Sequence, residues 1–258
     1  MIYQKQDKLI KGLAKYYGQD LFDYLEALEK ETDETTMNST TVNVTSADVS
    51  TTTEERKTNE SFSEESTSDS TTDKIFSTTN FSFTTICERM QESAFLLKGL
   101  SVEVIDEEDK KEVKYHYENG IKSFAEYMNE GKNTLHNVLH FTGEKDKIEV
   151  EIAMQYTDTY NENIISFVNN VKTSDGGSHE VGFKTALTKV FNEYARNNGY
   201  LKAKDKNLEG PDVREGLTAV ISLRIPEALL QFEGQTKGKL GTPLAKTVVE
   251  NVVSEKFG

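Results

Sequence analysis

A lysine and an amide side chain lie in a short loop that has a glycine on either side. Gln235, Thr236 and Lys237 stand between Gly234 and Gly238. A lysine on a tight loop presents a compact positive charge, and the backbone N–H groups of the loop can help it to bind an anion. The chemistry that these residues suit is therefore contact with a phosphate. An ordinary solvated turn uses the same residue types and is the alternative.

Two other groups of residues contain histidine. His136 and His140 have the four-residue spacing that places two zinc ligands on one face of a helix. No cysteine or close carboxylate completes the set, so the sequence predicts no metal site. Ser178, His179 and Glu180 have the residue types of a hydrolytic triad, but triads assemble across a fold and not between chain neighbours. We interpret Ser178 as the N-terminal cap of a helix instead.

A mildly basic stretch follows that predicted helix start. Its cations are Lys184, Lys189, Arg196, Lys202, Lys204 and Lys206. Most such runs are solvated surface, but a row of cations also suits non-specific contact with nucleic-acid phosphates, without reading of the bases. The net charge of −14 argues against a chain that binds nucleic acid on its own.

Composition restricts the setting of the protein. Its 258 residues suffice for one large or two small domains, and its single cysteine excludes an internal disulfide. No apolar run is long enough to span a bilayer, and the N-terminus lacks the apolar core of a signal peptide, so we expect a cytoplasmic protein without membrane contact. The mean hydropathy of −0.61 is low for a fully folded chain, which predicts that part of it is unfolded.

The chain divides into three predicted parts. Residues 1–32 carry an apolar stripe at three- and four-residue spacings, which predicts a short amphipathic helical segment; its acidic end disfavours a membrane surface. Residues 33–72 contain 20 Ser or Thr among 40 positions, which predicts a disordered, acidic linker. Residues 73–258 are regular and predict one folded domain.

The regular part predicts an α+β fold in which one sheet is backed by helices. The predicted elements are a helix (86–97) ended by Gly99, a hairpin (100–117), a helix (121–128), strands at 148–156 and 164–168, a helix from Ser178, a strand (217–225) and a helix from Thr242. We expect the strands at 148–156 and 164–168 to lie side by side. Thr242 is the predicted N-cap of the last helix, with Pro243 in its first turn.

Six stretches of this part resemble the B subunits of bacterial type IIA DNA topoisomerases, the gyrase and topoisomerase IV enzymes. They are Ser93–Gly99, Tyr115–Ile121, Ser166–Val171, Asp175–Glu180 with Gly182-Phe183, Asp212–Val220 and Gln231–Gly241. They occur in the order of that family, and the last contains its "QTK loop". The resemblance covers about residues 73–258, which correspond to the transducer domain. The connection from Ile225 to Phe232 resembles topoisomerase IV more than gyrase.

The resemblance implies a ribosomal protein S5 domain 2-like fold with a βαβ unit of the uncommon left-handed connection. In this family the domain links the ATPase domain to the DNA-cleaving core, and its loop lysine contacts the terminal (gamma) phosphate of ATP. By resemblance that lysine is Lys237, assisted by the amide of Gln235. A positioned cation stabilises the transferring phosphoryl group, and loss of the phosphate frees the domain to rotate. Lys184, Lys189 and Arg196 are implied to line a cavity through which DNA passes.

The same resemblance implies partners and cofactors. They are a GHKL-type ATPase domain, the topoisomerase A subunit and DNA, with ATP and Mg²⁺ as cofactors of the holoenzyme. The sequence lacks the Glu and Asp-Asn pattern of the nucleotide pocket, the Asp-x-Gly-x-Gly loop, and the Glu-Gly-Asp-Ser-Ala segment of the cleavage core. We therefore expect no complete catalytic site, and neither ATP hydrolysis nor DNA cleavage by the chain alone. A non-enzymatic interaction module or a truncated gene product stays open as the alternative.

Overall fold

The computed structural model of the chain describes residues 41–44, 82–107 and 109–257. The helical segment predicted for residues 1–32 lies outside these ranges, and so does the predicted linker at 33–72 apart from four residues. The division of the chain into three parts therefore stays a prediction. Within the described ranges, no helix combines the length and the apolar content that a membrane crossing requires.

One short strand lies inside the predicted linker. Strand β1 (Thr41–Val44) pairs in parallel with residues 101–104 at the edge of a three-stranded sheet. For these four residues the structure differs from the predicted disorder. Thr41, Val42 and Val44 are β-branched, and a short run of such residues fits the pleated edge of a sheet. The polar composition of the whole segment obscured this local strand sequence.

The remaining helices and strands confirm the predicted α+β class. In chain order they are α1 (Phe83–Leu96), β2 (Ser101–Asp106), β3 (Lys111–His116), α2 (Ile121–Met128), β4 (Leu139–Lys145), β5 (Ile148–Tyr156), β6 (Asn163–Val168), β7 (Val171–Lys172), α3 (Ser178–Asn197), α4 (Gly210–Arg214), β8 (Leu217–Arg224), β9 (Phe232–Glu233), β10 (Lys239–Leu240) and α5 (Pro243–Phe257). A turn of 3-10 helix, Glu227–Leu229, precedes β9.

Helix α1 covers one face of the hairpin that β2 and β3 form. The two strands pair in the predicted antiparallel manner, and Val102 and Val104 are buried beneath the helix. The hydroxyl of Ser82 caps α1 by accepting a hydrogen bond from the N–H of Thr85, 3.3 Å away. Gly99 follows the helix with a φ of 75°, the left-handed conformation that glycine adopts without strain, as the sequence predicts.

The larger sheet has five strands in the order β4-β5-β8-β6-β7. β8 pairs in antiparallel fashion with β5 and in parallel with β6. The prediction that residues 148–156 and 164–168 are neighbours is therefore wrong. β8 takes the position between them because it is buried on both faces. Ile221 and Leu223 pack on one side of the sheet and Val220 packs on the other, so the strand needs cover on both sides. β6, α3 and β8 form the expected βαβ unit, and the hand of that unit stays a prediction.

Helices cover both faces of this sheet. α3 and α5 pack on one face, where Ile152 and Ile221 are buried with Phe183 and Leu187. α1 and α2 pack on the other face around a second group of buried residues, which includes Phe95, Phe124, Ala153, Phe167 and Val220. The buried rings of Phe95 and Phe124 stack with their centroids 4.6 Å apart, which joins the β2–β3 layer to the sheet. Each large apolar side chain buried in this way contributes roughly 1.5–3 kcal/mol to stability.

The start of α3 differs from the predicted cap, whereas Thr242 directly precedes Pro243, the first residue of α5, as predicted. Gly177 is the N-cap of α3, and Ser178 is its first helical residue, so the interpretation of Ser178 as the cap is wrong. Its hydroxyl donates instead to the carbonyl oxygen of Thr242, 2.6 Å away. The Thr242 hydroxyl donates to the carbonyl oxygen of Leu229 and accepts from the N–H of Gln231, both at 2.9 Å. Both side chains thus join segments that are distant in sequence.

Candidate functional site

The predicted phosphate-binding loop is the tip of a small hairpin. β9 and β10 pair with Phe232 opposite Leu240 and with Glu233 opposite Lys239, and residues 234–238 connect them. We call residues 232–240 the lysine hairpin. Its tip residues Gln235, Thr236 and Lys237 are exposed. The structure therefore places both predicted phosphate-contacting side chains, Gln235 and Lys237, on one loop that projects from the surface.

The two lysines of the hairpin differ in their electrostatic surroundings. The Nζ atom of Lys239 lies 2.8 Å from a carboxylate oxygen of Glu233, and this hydrogen bond raises the pKa of Lys239. Lys237 has no carboxylate within ion-pair distance among the described residues, and its Nζ atom lies 5.8 Å from the centroid of the Phe232 ring. One lysine is thus neutralised within the hairpin, whereas the other presents an uncompensated positive charge at the tip.

The base of the hairpin is fixed against a turn that precedes α3. In this glycine turn (residues 175–177), the N–H of Asp175 donates to Gly238 O at 2.8 Å, and Gly176 O accepts from the N–H of Leu240 at 3.0 Å. Gly177 has a φ of 142°, and a Cβ atom there would lie only 2.3 Å from the carbonyl oxygen of Leu240. Glycine is required for this approach of the two backbones. A fixed base under an exposed lysine reduces the entropy lost when a phosphate binds.

His179 lies fully buried behind the glycine turn. Its Nε2 atom is 3.2 Å from the hydroxyl of Thr173, and its Nδ1 atom has no hydrogen-bond partner. Ser178 and Glu180 point to other partners, the carbonyl of Thr242 and the hydroxyl of Ser166. The structure therefore does not bring Ser178, His179 and Glu180 together as a triad.

The stability of the fold is expected to decrease as the pH falls from about 6.5 toward 4. Burial lowers the pKa of His179 from 6.5 to about 4. In this range the unfolded chain binds a proton that the folded chain does not bind, so protonation favours unfolding. We expect the melting temperature, followed by circular dichroism, to drop by several degrees across this range. His179→Gln should flatten the slope only in part, because burial also lowers the pKa of His136. A melting temperature independent of pH would contradict this assignment.

The two histidines with helical spacing do not lie on a helix. His136 precedes β4, and its Nε2 atom accepts a hydrogen bond from the N–H of Tyr156 at 3.0 Å. His140 lies on β4, with its Nε2 atom 2.8 Å from a carboxylate oxygen of Glu151. Each imidazole is used in packing and hydrogen bonding. Among the residues that the structure describes, no group of three or more His, Cys, Asp or Glu side chains could hold a metal ion.

The three cations predicted to line a DNA cavity share one groove. Lys184, Lys189 and Arg196, on α3, line a depression of about 730 Å³, which we call the basic groove. Arg214 of α4 also lines it and was not predicted, because only the fold brings α4 beside α3. The other predicted cations, Lys202, Lys204 and Lys206, are not part of its lining.

Carboxylates compensate much of the positive charge in the basic groove. The Nζ atom of Lys184 lies 3.0 Å from Glu162 and 3.5 Å from Glu180, and that of Lys189 lies 3.8 Å from Glu193. The Nε atom of Arg214 donates to Glu162 at 2.8 Å. The Lys189–Glu193 pair is exposed and the pairs of Lys184 are only partly buried, so they are weak enough for a polyanion to displace the carboxylates from the lysines. The groove therefore suits weak and salt-dependent phosphate contact.

Arg196 has a structural role that its residue type did not reveal. Its guanidinium donates to the carbonyl oxygens of Lys202 at 3.2 Å and Asp205 at 3.1 Å, and to the side-chain oxygen of Asn207 at 3.0 Å. These bonds use most of its donors to hold the segment between α3 and α4. Arg196 lines the groove, but few of its N–H groups are available to a phosphate.

Removal of the Arg196 side chain is expected to loosen residues 202–207. Arg196→Ala deletes at least three hydrogen bonds that hold this segment, and bonds from charged donors contribute about 1.5–3 kcal/mol each when they are shielded from water. Because this site is exposed, we expect about a fivefold increase in the rate of tryptic cleavage within the segment. Lys189→Ala, on the same helix, is the control and should leave the rate unchanged. Equal rates in both variants would contradict the structural role.

Comparisons with known proteins support the resemblance. A profile of the family described as DNA gyrase B matches residues 120–258. The chain is 64% identical over 188 residues to the B subunit of DNA topoisomerase 4 from Enterococcus faecalis, covering 72% of this chain and 27% of that protein. It is 60% identical over 183 residues to the corresponding protein of Bacillus subtilis, covering 71% and 28%.

Solved structures show the same architecture. The 43K ATPase domain of Thermus thermophilus gyrase B, in complex with an aminocoumarin, superposes with a TM-score of 0.62 at 36% identity, covering 71% of this chain and 49% of that one. The gyrase B protein of Myxococcus xanthus, at 24% identity, superposes with a TM-score of 0.61 and supports the fold alone.

The domain has a mixed sheet backed by helices, and the lysine hairpin lies beside its central βαβ unit. This architecture is that of a transducer-like α+β domain. The chain belongs to the DNA gyrase B family, the B subunits of type IIA topoisomerases, and within that family it is similar to topoisomerase 4. It spans about a quarter of the length of the curated relatives that it matches.

Proposed function

We propose that this chain acts as the transducer part of an ATP-dependent type II DNA topoisomerase. In this role it couples ATP binding and hydrolysis in a neighbouring GHKL-type ATPase domain to the motion of the DNA gate and to strand passage. The topoisomerase A subunit is the second proposed partner. ATP, with Mg²⁺, is held mainly by the ATPase domain, and the present chain contributes contacts to the terminal phosphate.

The observation that carries this proposal is the uncompensated charge of Lys237 on a hairpin with a fixed base. Lys239 shows that a lysine of the same hairpin can be neutralised by Glu233, yet Lys237 is not. A cation that is already positioned stabilises the charge that develops on a transferring phosphoryl group without further ordering. The exposed amide of Gln235 can donate a second hydrogen bond to the same phosphate.

The basic groove supports a second contact, with DNA. Lys189 is exposed and Lys184 is half-buried, and both present ammonium groups, which act as point charges and do not read base edges. The contact is therefore non-specific and electrostatic, and it weakens with salt. The overall charge of −14 makes this contact too weak to act alone, so the rest of the enzyme is expected to supply most of the affinity for DNA.

The proposal is tested by ATP hydrolysis in the presence of DNA. The chain is assayed alone and then mixed with a separately produced ATPase domain of the Enterococcus faecalis protein, the relative with 64% identity. We expect no hydrolysis by the chain alone, and on mixing a rate that depends on Lys237. Hydrolysis by the chain alone would contradict the assignment. No effect of a correctly folded chain on mixing would also contradict it and favour a non-enzymatic interaction module.

A further inference from the structure

Glu180 lies directly beneath the glycine turn that fixes the lysine hairpin. One of its carboxylate oxygens accepts a hydrogen bond from the hydroxyl of Ser166 at 2.7 Å. A Cβ atom at Gly176 would lie 2.9 Å from the other oxygen, Oε2, so the carboxylate occupies the space directly beside the turn. Gly176 is also the residue whose carbonyl oxygen accepts the N–H of Leu240 in the hairpin. The position of the hairpin base thus depends on a turn that Glu180 supports.

The carboxylate oxygen that faces Gly176, Oε2, also lies near a lysine of the basic groove. The Nζ atom of Lys184, one helical turn along α3, lies 3.5 Å from Glu180 and 3.0 Å from Glu162. The Lys184 side chain is about one-third exposed and lines the groove, whereas the Glu180 side chain is only 16% exposed. The Glu180 carboxylate therefore lies between the glycine turn and a lysine of the groove.

We propose that Glu180 is a positioning residue that links occupancy of the basic groove to the placement of the lysine hairpin. A phosphate that draws Lys184 away removes a positive neighbour from Glu180. The carboxylate keeps its hydrogen bond from Ser166 but loses its ion pair, so its position beside Gly176 is less fixed and the hairpin base loosens. This inference deepens the proposed function, since it assigns a route between its DNA contact and its ATP contact.

The first experiment measures amide hydrogen exchange in the 258-residue chain without ATP or DNA. The reporters are the N–H groups of Leu240 and Asp175, which bridge the hairpin and the turn. We expect Glu180→Ala to speed their exchange about fivefold, because a hydrogen bond and a packing contact beneath the turn are lost. The amides of Ile152 and Ile221, in the centre of the sheet, should not change. Alanine is a good helix former, so α3 should stay intact.

Two results of this first experiment would overturn the inference. Unchanged exchange at Leu240 and Asp175 would show that Glu180 does not support the turn. Faster exchange that extends to Ile152 and Ile221 would show a general loss of stability and no positioning role. The measurement involves no nucleotide, so its failure is distinguishable from failure of the Lys237 contact, which the hydrolysis assay tests separately.

The second experiment adds a short DNA duplex at low ionic strength and follows the same amides. We expect the duplex to speed exchange at Leu240 and Asp175 in the unmodified chain and to have no further effect in Glu180→Ala. Glu193→Ala is the matched control, because it removes a carboxylate that pairs with Lys189 in the same groove but does not contact the turn. It should respond as the unmodified chain does. An equal response in Glu180→Ala would overturn the link, and so would a duplex that does not bind.

Discussion

Lys237→Ala is expected to lower the rate of ATP hydrolysis in the presence of DNA about 100-fold or more when the chain is mixed with an ATPase domain. The rate with Lys239→Ala is expected to stay within about twofold of the rate with the unmodified chain. The two lysines are separated by one glycine in the same hairpin. They differ in that Lys239 is paired with Glu233, while Lys237 is free of carboxylate partners in the described part of the chain. The comparison therefore distinguishes the effect of an unpaired lysine at the hairpin tip from the effect of removing any positive charge from the hairpin.

The size of the expected effect follows from the charge of the transition state. Removal of one positioned donor from a developing anion commonly costs a factor of about 100 to 1,000 in rate, and loss of a cation at a transferring phosphoryl group costs as much or more. Gln235→Ala removes a neutral donor, and we expect a smaller loss of about tenfold. Lys237→Arg is expected to restore little, because a planar guanidinium does not reproduce the compact ammonium group.

Steady-state kinetics and circular dichroism together decide this prediction. All four variants alter exposed side chains, so their unfolding transitions should coincide with that of the unmodified chain. A fall in rate with unchanged stability would support the phosphate contact. Equal rates for Lys237→Ala and Lys239→Ala would contradict it, and the free charge at the hairpin tip would then be only a feature of a solvated loop.

The loop that carries Lys237 could be predicted from the sequence because its signal is local. Gln235 and Lys237 stand between two glycines, and neighbouring stretches supply the family resemblance. The contact between the glycine turn and the hairpin was not predicted. That contact joins Gly177 to Leu240 through backbone atoms, and no side-chain pattern records a backbone approach between distant segments.

Residues with two possible partners were predicted less well. Contact of Arg196 with DNA stays a prediction, but the fold also supplies carbonyl oxygens from Lys202 and Asp205 that use several of its donors. Ser178 has the residue type of a helix cap, but the close approach of Thr242 gives its hydroxyl a tertiary acceptor. The central position of β8 also followed from packing, since its side chains are buried on both faces of the sheet. For Ser178 and β8, a contact between segments distant in sequence prevailed over a local preference.

Gly182→Ala is expected to destabilise the fold by about 3 kcal/mol, although alanine is the better helix former. Gly182 lies in the buried face of α3, where the backbone of α5 crosses it. A Cβ atom at this position would lie 2.4 Å from the carbonyl oxygen of Lys246 and 3.1 Å from its Cα atom. The gain in helix propensity is at most about 1 kcal/mol. The obstacle is a backbone carbonyl that cannot rotate away, so the two helices must separate and the steric cost prevails.

Urea unfolding of Gly182→Ala beside Thr185→Ala provides the test. Thr185 lies on the exposed face of the same helix, where we expect a change within about 0.5 kcal/mol. Equal unfolding midpoints for the two variants would contradict the close packing of α3 on α5.

The packing of α3 on α5 also affects the lysine hairpin. Only two residues separate the end of β10 at Leu240 from the start of α5 at Pro243, so a displaced α5 should also shift the lysine hairpin. Gly182→Ala should therefore speed amide exchange at Leu240, which Thr185→Ala should not.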